Sequence, residues 1–98
     1  MHGHGEYKVP GGKLVVADIV IADGRLADVA MSGDFFLEPD AALAAIDSAL
    51  RGLSIQLDRE ALAGIVQRCL PAGTRMFGVD AEGFAVAVRR AIEGGEKA

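Results

Sequence analysis

KLVVADIVIADGRLADVAMS, running from Lys13 to Ser32, is the stretch whose reading decides the fold. Its apolar residues alternate instead of recurring at helical spacing: Val15, Ala17, Ile19 and Ile21 in the first half, Ala27, Val29 and Met31 in the second. Alternation places each set on one face of an extended strand, and Ala22-Asp23-Gly24 between them supplies the turn. Parity then decides the pairing. A two-residue Asp-Gly loop would set Asp18 opposite Val29 and Ile19 opposite Asp28. A three-residue loop, with Gly24 as the left-handed residue of a bulged turn, sets Ile19 opposite Ala27 and Ala17 opposite Val29 and keeps one apolar face continuous. The three-residue loop is therefore expected, with Ile19 and Val29 buried and Asp18 and Asp28 on the outer face.

On either side of this hairpin the pattern changes. Residues 1–5 show no periodicity and are expected to be disordered, with His2 and His4 solvated, since a specific metal site needs three or four ligands fixed by the fold. Downstream, three helices are predicted. Pro39 suits the first position of one whose stripe is Leu43, Ile46 and Leu50, ending at Gly52. Asp58 caps the second, with Leu62, Ile65, Val66, Cys69 and Leu70 on its stripe before Pro71 and Gly73. Asp80 caps the third, whose buried face is Phe84, Ala87, Val88, Ala91 and Ile92, and a disordered tail is expected over 94–98. Short extended pieces at Leu53–Leu57 and Thr74–Val79 could each add an edge strand. The expected fold class is α+β: a single domain over residues 6–93, a small antiparallel sheet built around the hairpin and packed against about three helices.

Composition excludes several function classes. The 98 residues carry a net charge of −4, with ten Lys and Arg scattered along the chain, whereas a nucleic-acid groove needs clustered basic residues. The single cysteine, Cys69, excludes an internal disulfide framework and reads as a small buried hydrophobe on its helix stripe. No apolar run approaches membrane-spanning length or follows a basic leader, so the chain reads as cytoplasmic.

No catalytic constellation is legible, because a general base or nucleophile needs a second group to hold it and none is spaced to do so. Two short signatures remain that turn chemistry alone does not explain. In Tyr7-Lys8-Val9-Pro10-Gly11-Gly12-Lys13-Leu14, Pro10 fixes its own φ while Gly11 and Gly12 permit positive φ, so a strand-like arm turns sharply into the hairpin. It lacks the strand-to-helix setting of a phosphate-binding loop. In Gly33-Asp34-Phe35-Phe36, two adjacent aromatics on an extended backbone point to opposite sides, so one enters the core while the other stays exposed or meets a neighbouring surface.

The order of these signatures resembles the C-terminal accessory domain of lipoate-protein ligases, which in some organisms is a separate small subunit. The residues that carry the resemblance are Lys8, Pro10 to Leu14, the Asp23-Gly24 hairpin, Gly33 to Phe36, Pro39 opening a helix, and a leucine-bearing helix ending at Gly52. The resemblance implies an accessory subunit of a two-component, ATP-dependent ligase that supports lipoyl-adenylate formation before transfer to a lysine of lipoyl domains. It implies as partner a large catalytic subunit, holding ATP, Mg2+ and lipoate, with lipoyl-domain acceptor proteins as indirect partners. This chain alone would bind no cofactor. Lys8, Pro10, Gly11, Gly12, Lys13, Gly33, Asp34, Phe35 and Phe36 are then the residues expected to face the partner or support activity. The alternative is a free-standing, non-catalytic protein-interaction module of the same fold.

Overall fold

The computed structural model describes residues 1–96. Its elements run β1 (His2–Lys8), β2 (Leu14–Ala22), β3 (Arg25–Gly33), β4 (Phe36–Glu38), α1 (Ala41–Leu50), α2 (Arg59–Cys69), β5 (Arg75–Phe77) and α3 (Ala81–Glu96). The architecture is α+β. An antiparallel sheet in the order β1-β2-β3 has its helices on one face, and β4 and β5 form a second, two-stranded sheet.

Residues 1–5 are ordered, contrary to expectation: His2–Gly5 open β1 and pair along β2, His2 opposite Val20 and Gly5 opposite Ala17, and the Met1 ammonium donates to the Ile21 carbonyl. The alternation there is real but carried by glycine. Gly3 and Gly5 face inward while His2, His4 and Glu6 face out, and a Cβ at Gly3 or Gly5 would run into the backbone carbonyls of Ala91 and Ala87 on α3. The two glycines thus let α3 lie directly on β1, a contact no larger side chain permits.

The hairpin keeps the expected faces by a different turn. Asp23 (φ 54°) and Gly24 (φ 72°) are both left-handed, so the loop has two residues, with Ala22 opposite Arg25 and Ile21 opposite Leu26. A bulge then restores parity: Ala27 is the extra residue, Val20 pairs with Asp28, and Ile19 pairs with Val29 instead of Ala27. Because the register differs from expectation by an even number, Ile19 and Val29 are buried and Asp18 and Asp28 exposed as predicted. Leu26, not Ala27, supplies the buried side chain near the turn.

The core lies between this sheet and the helices. α3 packs on β1 and β2, α1 covers β3, and α2 bridges α1 and α3. Phe84, Ala87, Val88, Ala91 and Ile92 are fully buried on α3, as its stripe predicts. Asp58 caps α2 by accepting the Ala61 N–H at 2.8 Å, and Asp80 caps α3 by accepting the Gly83 N–H at 2.7 Å. α1 departs from expectation: it opens at Ala41, behind a cis Glu38–Pro39 bond, and Ala42 replaces Leu43 among its fully buried residues. The extended pieces do not join the main sheet as edge strands. Residues 75–77 pair with β4, and of 53–57 only Ser54 makes a bridge, to Arg25. The tail expected to be disordered from Gly94 is helical through Glu96; residues 97 and 98 lie outside the described residues.

On β3 the edge of the main sheet is closed by its neighbours: the Asp47 carboxylate accepts the Met31 N–H at 3.0 Å, and Leu26 exchanges backbone bonds with Gly52 and Leu53. Burial raises the pKa of that Asp47 carboxyl, an effect the Met31 N–H partly offsets.

Candidate functional site

Antiparallel strands bring the end of β1, the start of β2 and the end of β3 to one edge of the sheet. There the backbone is tied across three segments. Val9 donates to the Lys13 carbonyl (3.1 Å), Gly12 to the Val9 carbonyl (2.8 Å), and Asp34 to the Leu14 carbonyl (3.1 Å). Lys13 N–H donates to the carbonyl of Gly78 (2.8 Å), which brings in the segment after β5. The Pro10 turn and the Gly33 corner are therefore neighbours, as the pairing of their strands requires, and β5 with Gly78 after it joins them.

The glycines of this edge have separate tasks. Gly11 is left-handed (φ 71°) with open space around it, so it serves the turn. Gly12 serves a close approach, since a Cβ there would stand 2.6 Å from the Gly78 carbonyl oxygen. Gly33 does both: its φ is 146°, and a Cβ would collide with the Leu14 carbonyl.

The two aromatics divide as alternation demands. Phe35 points in and meets the buried Phe84 edge-on, with centroids 5.1 Å apart at 84°. Phe36 points out, 58% exposed, and lies 6.3 Å from Phe77, itself 42% exposed. Lys8 is not free at this edge, because its ammonium donates to the Gly12 carbonyl at 2.6 Å and braces the turn. Lys13, Pro10 and Asp34 are exposed, and among the described residues the side chains of Lys13 and Asp34 make no hydrogen bond or ion pair. Reading the sequence missed Phe77, Gly78 and Arg75. The signal available was weak: an isolated Phe between a turn and a helix cap.

A second polar cluster lies on the outer face of the sheet. His4 stands across from Asp18, its Nδ1 2.6 Å from one Asp18 oxygen and its Nε2 2.7 Å from Glu6. Both carboxylates raise its pKa, the Asp18 hydrogen bond foremost. Among the described residues no three His, Cys, Asp or Glu side chains are grouped to hold a metal ion, and no helix is long and apolar enough to cross a membrane. Cys69 is half-buried on α2, where burial pushes its thiol pKa up and its Sγ–H donates to the Val66 carbonyl.

What this edge can do chemically is present an aromatic pair, a lysine and rigid backbone. It has no pair of groups arranged for proton transfer or nucleophilic attack. Gly11-Gly12 opens into a strand and so lacks the direct loop-to-helix connection of a phosphate cradle; the start of α3 lies beside Val9 and Pro10, where it brings the carboxylates of Asp80 and Glu82 to the same cleft.

No protein-family model matches the chain, and no curated protein matches it. Among solved structures, it is similar to a chain in the structural analysis of an archaeal lipoylation system, a bi-partite lipoate protein ligase and its E2 lipoyl domain from Thermoplasma acidophilum. The identity is 27% and the TM-score 0.68, over 91% of this chain and 93% of that one, so the likeness spans both nearly end to end. In fold and in the order of its signatures, this chain resembles the small accessory component of lipoate-protein ligases.

Proposed function

We propose that this chain is the accessory component of a two-component, ATP-dependent lipoate-protein ligase. It acts on a separate large subunit by docking the edge built from residues 8–13 and 33–36. The observation that carries the reading is the near end-to-end match to a chain of a bipartite ligase system, in a protein whose Lys8–Leu14 and Gly33–Phe36 signatures meet at one edge.

In the reaction, a lipoate carboxylate oxygen attacks the α-phosphorus of ATP. A C–O–P bond forms, the bond between the α-phosphorus and its bridging oxygen breaks, and pyrophosphate leaves. The acyl group then passes to a lysine amine of a lipoyl domain and releases AMP. In this reading ATP, Mg2+ and lipoate are held by the large subunit, and the accessory chain contributes placement. Its edge is preorganised by the Lys13–Gly78 and Asp34–Leu14 backbone bonds, so little ordering cost remains when it seats. Lys13 is an exposed cation at the seam, able to meet a carboxylate of the large subunit or a phosphate held there.

Reconstitution tests the reading. The purified chain alone should release no pyrophosphate from ATP and lipoate, and adding it to a large ligase subunit that lacks a C-terminal accessory segment should restore adenylation. Pyrophosphate release by the repurified small chain alone, or a large subunit indifferent to it, would count against the proposal.

A further inference from the structure

β4 and β5 are three residues each, and their alternation is complete. Leu37 and Met76 pack inward, while Phe36, Glu38, Arg75 and Phe77 share the outer face. Phe36 and Phe77 are directly cross-strand, and the Arg75 guanidinium lies 5.3 Å from the centre of the Phe77 ring. Beside the pair, Phe35, Phe36, Leu37, Asp40 and Leu43 line an open cleft between β4 and α1. A ribbon this short has no stability of its own, yet it holds two large aromatic rings in water.

Its charges are also left open. Among the described residues, the side chains of Lys13 and Arg75 make no hydrogen bond and have no carboxylate within 4 Å, although the chain has a net charge of −4. Arg51 and Arg59 elsewhere are paired with Asp28 and Glu82. Asp34, Glu38 and Asp40 stand in the same region without pairing to either cation. The Lys13–Gly78 backbone bond fixes the ribbon to the Pro10 turn, so whatever meets one meets the other.

We propose that Phe36 and Phe77 form a single aromatic anchor that seats in an apolar pocket of the large ligase subunit, with Arg75 and Lys13 meeting carboxylates on the pocket's rim. This inference rests on the ligase reading above. The large subunit is the occupant because the near end-to-end match is to a chain of a bi-partite ligase system and two cations of this surface are left without a carboxylate of their own; a second copy is the competing occupant that the test separates. Aromatic residues with flanking arginine are the usual composition of an interface hot spot, and neighbouring members of such a spot act together.

The test is a calorimetric titration of the large subunit with the wild-type chain, Phe36→Ser, Phe77→Ser, the double variant and Arg75→Glu, each shown to be folded by circular dichroism. Each Phe variant should bind about tenfold more weakly or worse, and the double variant should lose much less than the product of the two single losses. Arg75→Glu should slow association, more so at low salt. Wild-type binding that both Phe variants reproduce would overturn the anchor and leave the ligase reading standing. Failure of the wild-type chain to bind would overturn both. Concentration-dependent dimerisation abolished by Phe36→Ser would assign the rings to a second copy and overturn the proposal.

Discussion

At His4, both ring nitrogens face carboxylates, and both can donate only when the imidazole is protonated. Asp18 and Glu6 therefore favour the cation, and the folded-state pKa lies above the unfolded value of about 6.5. A group whose pKa rises on folding contributes stability that is fully present below the unfolded pKa and lost as pH rises through the folded one. Thermal melts of wild type and His4→Gln should thus differ at pH 5.5, wild type higher, and converge as pH passes above His4's folded pKa; a difference independent of pH would refute the ion-pair account. The effect will be small because the cluster is exposed. The same strand shows why residues 2–5 carry no strand signal in the sequence. Hydrophobic alternation is the signal for a strand, and Gly3 and Gly5 hold the inward positions with no side chain to register it. Their fitness for β1 is visible only once the carbonyls of Ala87 and Ala91 are placed above them.

Elements fare better where side chains carry the pattern. The α3 stripe, the caps at Asp58 and Asp80, and both hairpin faces were legible, since burial of Ile19, Val29 and Phe84 follows from period alone. The loop was not, because a three-residue bulged turn and a two-residue loop followed by a bulge at Ala27 give the same parity. The candidate edge was only partly legible: Pro10–Lys13 and Gly33–Phe36 stand out locally, while Arg75 and Phe77 join them only through long-range pairing with β4. Face assignment yields a contrast in stability. Ile19→Asp buries an unpaired carboxylate at a cost of several kcal/mol, comparable to the roughly 5–15 kcal/mol holding a domain together. Asp28→Ile gives up one exposed pair with Arg51, at 3.0 Å, and an Asp28 bond to the Val29 N–H. Exposed pairs of that kind contribute about 0–1 kcal/mol. Urea denaturation should find Ile19→Asp largely unfolded and Asp28→Ile close to wild type, and the reverse order would overturn the faces.

Over the whole molecule, the edge proposed to dock on the large subunit is assembled from segments that are far apart in the chain, 8–13, 33–36 and 75–78, so a change in one should be felt through another. Gly12 is the sharpest place to look. A Cβ there would press on the Gly78 carbonyl, which holds the Lys13 N–H and continues directly from Phe77. Gly12→Ala should displace the ribbon without touching any exposed side chain. A control that strains the backbone without a collision is Gly52→Ala at the opposite end of the sheet, where φ is 86° and the space is open. Holding a non-glycine residue left-handed there costs about 1–2 kcal/mol, which for a domain of this size lowers Tm by roughly 4–16 °C. Both variants should melt below wild type. With the large subunit, and at a temperature where both are folded, Gly52→Ala should support pyrophosphate release as wild type does, while Gly12→Ala should fall about tenfold, the equivalent of about 1.4 kcal/mol. Equal activity from the two folded variants would show that the joined backbone at Lys13 and Gly78 serves only to hold the sheet's end together, and would place the contact with the large subunit elsewhere on the surface.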